Sequence, residues 1–197
     1  MTMKSTLLTG LSAAAIFALG ISAASAAGEH VAPMQEVAKS KVSTWVNNPA
    51  VVNAVKAQNA KNAGLAETDI LKLDKTWRAE VKKGGGALTS KVISNALSGY
   101  LKTVKNDSQG LYTEIFVMDN KGLNVGQSDM TSDFWQGDEA KWQKTYKVGP
   151  QSMHIGSVKT DESSQTLQSQ LSVPVVDPAS GKVIGAVTVG VNVEQLN

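Results

Sequence analysis

Apolar residues in the first half of the chain recur at spacings of three and four, which is the period of an amphipathic helix. The pattern predicts two helices between Met34 and Ala60, interrupted near residue 48. Asn48 suits the N-cap of the second helix and Pro49 its first position. Two more helices are predicted, one from the cap residue Thr68 to Gly84 and one over Ser90 to Lys105. The first half is therefore predicted to be helical.

The period changes to two, or to short apolar runs, after a turn cluster at residues 106–110. A short helix is predicted over Glu139 to Tyr146. Helices followed by strands predict an α+β fold, in which a helical part (27–106) packs on one face of an antiparallel sheet of about five strands (107–197). The predicted strands are Leu111 to Met118, Leu123 to Gln127, His154 to Lys159, Gln165 to Val176 and Lys182 to Val193.

The N-terminal residues have the pattern of an export signal. Lys4 precedes an apolar stretch from Leu7 to Ile21, and the small residues Ala24 and Ala26 flank a cleavage site. We interpret residues 1–26 as a cleaved signal peptide and predict a periplasmic protein. The alternative is that the segment is retained as a membrane anchor, since it is nearly long enough to span a bilayer.

The composition of the chain argues against several classes of function. The chain has 19 Lys and Arg residues against 17 Asp and Glu, a formal net charge of +2, which is too balanced for a nucleic-acid-binding protein. It has no cysteine and two histidines, His30 and His154, so we expect no metal site and no cofactor. No catalytic motif is present, and Gly84 to Gly86 is interpreted as a helix stop, so we expect a protein that is not an enzyme.

Aromatic and acidic side chains are densest between Asp129 and Tyr146. On a helix Trp142 and Tyr146 share one face, and aromatic walls beside carboxylates suit a cationic or partly apolar small ligand. The alternative is that Trp142 anchors the short helix to the sheet and Asp138 caps it. The other two tryptophans, at positions 45 and 77, lie on helical apolar faces and are predicted to be core residues.

Three fragments resemble the extracytoplasmic Cache sensor domains, which are PAS-like and also called PDC-type. Ile115 to Asp119 with Gly122 is similar to the first core strand and its turn in that family, and Gly185 to Asn192 to the closing strand. Asp133 to Trp142 is similar to the lid over the ligand pocket. The resemblance covers Val31 to Asn197. Together with the cluster of aromatic and acidic side chains and the position of Asp161 after a predicted strand, it predicts ligand binding by Asp133, Trp135, Gln136, Asp138, Lys141, Trp142, Tyr146 and Asp161.

One departure limits what the resemblance implies. Family members that bind amino acids carry an arginine near the lid, whereas Arg78 is the only arginine here. Lys141 or Lys159 is a point charge without the planar fork of arginine, so amino-acid specificity is not carried over. Asp161 either closes the pocket or faces solvent, and His154 is expected to be a half-buried structural residue.

The resemblance implies a noncatalytic sensor that signals through a separate membrane partner, such as a histidine kinase, a chemoreceptor or another envelope protein. The alternative is a structural module of the cell envelope with a closed pocket. In that case the first helices, including Val42, form a homodimer interface. The ligand itself is left open.

Overall fold

A computed structural model describes residues 28–160 and 166–196 of the chain. Its helices are α1 (Val31–Ser40), α2 (Pro49–Lys61), α3 (Glu67–Lys82), α4 (Ala87–Ile93), α5 (Ala96–Asp107) and α6 (Ala140–Gln143), with short 3₁₀ helices at Val42–Thr44 and Val193–Gln195. Its strands are β1 (Tyr112–Met118), β2 (Asn124–Gln127), β3 (His154–Ile155), β4 (Lys159–Thr160), β5 (Leu167–Val176) and β6 (Val183–Asn192). The predicted signal peptide and Asp161 lie outside the described residues.

A side-chain cap marks the start of α2, whereas the N-cap residue of α3 has no side chain that can cap it. The predicted N-cap Asn48 accepts a hydrogen bond from the backbone N–H of Ala50, as the sequence indicated. The prediction that Thr68 caps α3 was wrong, because Ala66 is the N-cap and its N–H donates to the side chain of Asp69 at 3.1 Å. Thr68 therefore lies inside the first turn.

The helix predicted over Ser90 to Lys105 is two helices, which corrects the sequence analysis. Asn95 interrupts it, since its side-chain oxygen accepts from Ser98 N at 2.8 Å and so caps α5. Its amide nitrogen also donates to the carbonyl oxygen of Val125 at 2.8 Å, which ties the break to β2.

The sheet is antiparallel and has the order β2-β1-β6-β5-β3, with β4 also paired to β5. It has six strands instead of about five, because the segment predicted as one strand from His154 to Lys159 forms two separate two-residue strands. The hairpin between β5 and β6 turns at Asp177, which accepts the N–H groups of Ser180 and Gly181. The fold class is α+β, as predicted.

The two faces of the sheet are covered differently. Alternate residues of β1 and β6, such as Ile115 and Val189, face the core shared with α1, α2 and α5. The intervening residues, such as Phe116 and Ala186, pack against Trp142 of α6 on the opposite face. The main helices therefore cover one face as predicted, and only α6 among the described helices reaches the other.

The tryptophans predicted to be core residues, Trp45 and Trp77, are both buried. Trp77 belongs to a second cluster, between α3, α4 and the loop after β2, where its ring stacks on Phe134 at 5.2 Å between centroids. Over residues 28–160 and 166–196, no helix has both the length and the apolar character needed to cross a membrane.

Candidate functional site

A cavity of about 420 Å³ lies on the sheet face covered by α6, between that helix and strands β3 to β5. Its volume is within the range of small-molecule pockets. Polar side chains line this cavity from α6, from β3 and β4, and from β5. Two of these side chains are lysines. The polar residues on these elements are Glu139 and Lys141 at α6, His154 and Lys159 on β3 and β4, and Gln168 and Gln170 on β5.

Alternation along β5 brings the two glutamines to this cavity, since every second side chain of a strand shares a face. Gln170 donates from Nε2 to Glu114 Oε1 on β1 at 2.9 Å, and the hydroxyl of Thr113 donates to Gln168 Oε1. These cross-strand bonds hold the amides in fixed orientations at one end of the cavity.

Lys141 brings a positive charge to the cavity wall. Its side chain is 14% exposed, and its ammonium group lies 2.9 Å from Glu139 Oε2 and 3.2 Å from Gln136 Oε1. The same nitrogen lies 5.3 Å from the centroid of the Phe116 ring, within cation–π distance. These contacts fix the position of Lys141.

His154 is half-buried, as the sequence analysis expected, and lies beside two cations. Burial, together with the positive charges of Lys144 and Lys141, lowers the pKa of His154 below its ordinary value. The imidazole is therefore neutral near pH 7 and offers both a hydrogen-bond donor and an acceptor.

Trp142 and Tyr146 stack on each other, with ring centroids 4.8 Å apart and an interplanar angle of 20°. Trp142 is 6% exposed, packs with Phe116 and Met118, and donates from its indole nitrogen to the carbonyl oxygen of Asp119. Of the two roles left open for Trp142, these contacts favour the anchor of α6 to the sheet. Burial raises the pKa of the half-buried Tyr146, and the charge of Asp119 adds to the effect.

The loop between β2 and α6 (residues 128–139), which we call the lid loop, places the other predicted residues away from the cavity. Trp135 is half-buried against the second cluster and donates from Nε1 to the carbonyl oxygen of Lys121 at 2.9 Å. Gln136 is buried and connects the two regions, because it donates to Asp133 Oδ1 at 3.0 Å and accepts from Lys141. The structure thus links Asp133 to the cavity wall through Gln136.

Asp138 is exposed and does not cap the short helix. The N-cap is Glu139, which makes no side-chain cap hydrogen bond, so the prediction of a cap at Asp138 was wrong. A side chain in this position faces solvent at the start of α6.

The lid segment of the sequence contains no arginine, but in the folded protein the arginine of α3 contacts this segment. Arg78 of α3 donates from Nη2 to Asp133 Oδ2 at 3.2 Å and from Nε to Asp74 Oδ2 at 2.6 Å. Asp74 was missed as a functional residue, although its spacing of four from Arg78 is a signal for an ion pair. Its other oxygen accepts the backbone N–H groups of Phe134 and Trp135, which fixes the lid loop to α3.

Gln168 and Gln170 were also missed. The sequence carries a weak signal for them, since Gln168, Gln170 and Ser172 occupy every second position of β5, as on a strand that faces a polar cavity. Within the two described ranges, no group of three or more His, Asp and Glu side chains is arranged to hold a metal ion.

No family model matches the chain, and no curated protein matches it. Among solved structures, it is similar to the sensor domain of the histidine kinase DctB of V. cholerae, at 14% identity and a TM-score of 0.43, over 85% of this chain and 57% of that one. The ligand-binding domain of the Campylobacter jejuni chemoreceptor Tlp3, in complex with 4-methylisoleucine, is similar at 14% identity and a TM-score of 0.39, over 82% and 64%.

The ligand-binding domain of the Pseudomonas aeruginosa PAO1 amino acid chemoreceptor PctC, in complex with GABA, is similar at 11% identity and a TM-score of 0.37, over 64% of this chain and 63% of that one. This chain thus spans less than two thirds of the length of each of these structures. All three are sensor or ligand-binding domains, the class of protein that the sequence fragments resemble. All three TM-scores are below 0.5.

Proposed function

We propose that the protein is a periplasmic sensor that binds a small anionic molecule in the cavity between α6 and β3 to β5. The observation that carries this proposal is the position of Lys141, a largely buried cation held at the wall of a 420 Å³ cavity. In this proposal the protein binds its ligand and has no catalytic activity.

The charges around the cavity favour an anion over a cation. Lys159 adds a second ammonium group to the lining, and the carboxylate of Glu139 is already paired with Lys141. Asp133 and Asp138, which suggested a cationic ligand, do not line the cavity. A carboxylate or similar group near Lys141 would gain a charge-assisted hydrogen bond, and the glutamines of β5 would select its polar remainder.

The site residues named from the sequence fall into two proposed roles. Lys141 contacts the ligand, and Trp142 with Tyr146 supports the helix that carries it. Asp133, Trp135 and Gln136 hold the lid loop in place, so they act through Lys141 and not by direct contact. A contact from Asp138 or Asp161 remains a prediction, since Asp138 lies at the solvent-exposed helix start and Asp161 outside the described residues.

Thermal unfolding of the protein with a panel of carboxylates, phosphates, amines and uncharged metabolites tests the proposal. Bound ligand is first removed by unfolding and refolding. A ligand at 100 times its Kd adds about 2.7 kcal/mol, which for a chain of this size raises Tm by roughly 5 to 11 °C. We expect anionic compounds alone to give such a rise.

A charge-matched pair of variants assigns any rise in Tm to this cavity. Lys141→Gln should remove most of the rise, whereas Lys75→Gln, an exposed lysine on α3, should keep it. No rise with any anion, or an equal rise in both variants, would overturn the assignment.

We further infer that ligand occupancy passes to a membrane-bound partner, such as a histidine kinase or chemoreceptor. The contacts of α6 support this inference, because Trp142 bonds to Asp119, and the carboxylate of Asp119 accepts from Gln58 of α2 and from Asn62 at its C-cap. Movement of α6 on ligand binding would therefore reach the helical side of the sheet. Co-purification of the tagged protein with membrane proteins, with and without ligand, tests this step.

The alternative of a dimer formed through the first helices stays a prediction. Val42, expected on that interface, is fully buried in the core of its own chain, so a substitution there would disturb folding. The outward positions of α1, such as Glu36, Lys39 and Ser40, are polar. Light scattering of the protein with a Glu36→Lys variant tests the dimer without disturbing the core.

A further inference from the structure

A second concave surface lies on the helical side of the sheet and shares no lining residue with the first cavity. It consists of two adjoining cavities of about 210 and 310 Å³, which share Gln58, Lys61, Asn95 and Val125. None of these residues lines the cavity beside α6. We call the two cavities together the α2–α4 groove.

The walls of the α2–α4 groove are mainly apolar. In the smaller cavity they come from the second cluster and its neighbours, and in the larger one from small residues of α2 and α5. The apolar lining residues are Leu73, Leu88, Val92 and Phe134 in the smaller cavity, and Ala54, Ala57, Ala96 and Leu97 in the larger.

Two lysines meet at the smaller cavity. Lys61 ends α2, Lys91 belongs to the last turn of α4, and both line the cavity. Contact with the side chain of Lys91, the charge of Lys91, and burial together lower the pKa of Lys61. Two ammonium groups side by side repel each other unless an anion lies between them.

Neither lysine has an acidic partner in the part of the chain that the structure describes. Among residues 28–160 and 166–196, no carboxylate oxygen lies within 4.0 Å of the ammonium group of Lys61 or Lys91. The amides of Gln58 and Asn62 already donate to Asp119, whose other oxygen accepts from the backbone. Within the described residues, Lys61 and Lys91 are thus two cations without a carboxylate partner, and they lie beside an apolar surface.

We propose that the α2–α4 groove is a second binding site, specific for a small amphiphilic anion such as a carboxylate with a short aliphatic chain. The carboxylate lies between Lys61 and Lys91, where it relieves their repulsion and accepts a charge-assisted hydrogen bond from each. The aliphatic chain lies against Val92 and Phe134, where it buries apolar surface. The smaller cavity, below the 300 Å³ of ordinary ligand pockets, limits the ligand to a short chain.

NMR titration of the protein with hexanoate tests the proposal. Acetate has the charge without the chain, and hexanol has the chain without the charge. We expect hexanoate to shift the backbone amide signals of Val92 and Asn95 with a saturating curve, and to bind at least tenfold more tightly than acetate or hexanol.

The double variant Lys61→Gln/Lys91→Gln removes both cations. The control Lys82→Gln/Lys83→Gln removes the same charge from two exposed lysines at the end of α3. We expect hexanoate to bind about tenfold more weakly in the first variant, a loss of about 1.4 kcal/mol, and with unchanged affinity in the second. Equal affinities in both variants would overturn the proposal, as would equal affinities for hexanoate and acetate.

The same titration separates this site from the cavity beside α6. Lys141→Gln should leave the shifts at Val92 and Asn95 unchanged, even if it abolishes ligand binding near His154. Hexanoate shifts that appear near His154 and disappear in Lys141→Gln, with none at Val92 or Asn95, would assign all anion binding to the first cavity and overturn the second site.

Discussion

The indole nitrogen of Trp142 donates a hydrogen bond of 3.0 Å to the backbone carbonyl oxygen of Asp119, at the end of β1. The carboxylate of Asp119 accepts on its other side from Gln58 of α2 at 3.1 Å and from Asn62, the C-cap of α2, at 2.9 Å. Asp119 therefore connects the helix on the cavity face of the sheet with a helix on the opposite face. Because the residue is fully buried, neither connection is weakened by competing water.

Replacement of Asp119 by alanine should destabilise the protein strongly. Its carboxylate also accepts the backbone N–H groups of Lys121 and Leu123, at 2.8 and 2.9 Å. Removal leaves buried donors without partners, so we expect the free energy of unfolding to fall by roughly 2–4 kcal/mol. Urea denaturation measures the loss, and Asp107→Ala, at the exposed end of α5, is the control. Similar values for the two variants would contradict the role given to Asp119.

Asp74 and Arg78 form an ion pair, but their removal should have unequal effects. Asp74→Ala leaves the N–H groups of Phe134 and Trp135 without an acceptor, and we expect a loss of roughly 2–3 kcal/mol. Arg78→Ala removes a side chain that is 51% exposed, and we expect a loss of about 1 kcal/mol or less. Denaturation curves of both variants test this difference. A larger loss for Arg78→Ala would show that the ion pair, not the backbone contact, holds the lid loop.

Gly122→Ala should be far more destabilising than Gly84→Ala. Both glycines have a positive φ, of 82° and 83°, so both substitutions introduce the same backbone strain, about 1 kcal/mol. A Cβ atom at Gly122 would also overlap the backbone of Gly137 in the lid loop, whereas one at Gly84 meets no atom within 4 Å. Thermal unfolding of both variants isolates the effect of this overlap. Equal values of Tm would show that the loop moves away at little cost.

The change in apolar spacing, from three and four in the first half of the chain to two in the second, was sufficient to predict the α+β class. It did not predict the break at Asn95, because the apolar face of Ser90 to Lys105 continues through that residue. At the break, the side chain of Asn95 caps α5 and also bonds to the carbonyl oxygen of Val125, a contact between residues 30 positions apart. Short-range periodicity contains no information about such a contact.

The candidate site was predicted only in part, for a similar reason. The density of aromatic and acidic residues indicated the segment from Asp129 to Tyr146, and Lys141 within it lines the cavity. The remaining polar lining comes from β3, β4 and β5, which reach the lid only through strand pairing. Arg78 likewise meets Asp133 because α3 packs beside the loop, although 55 positions separate the two residues.

The pH dependence of stability provides a test of the environment of His154. Burial and the charges of Lys144 and Lys141 lower the pKa of His154 in the folded protein below the ordinary value of 6.5. The folded state therefore binds fewer protons than the unfolded state in the pH range below 6.5. Stability from this group is complete above pH 6.5 and is lost as the pH falls through the folded pKa.

We therefore expect the free energy of unfolding to decrease between pH 7.5 and pH 5.5, and His154→Gln to reduce this decrease. Glutamine keeps a polar side chain at the cavity but does not titrate, so the comparison isolates the imidazole. Urea denaturation of the protein and of the variant, at several pH values in this range, measures the slope of each free energy of unfolding against pH. An anion bound beside Lys141 should raise the pKa of His154, which NMR titration of the imidazole detects. Identical slopes for the two proteins would show that His154 does not experience the neighbouring lysines.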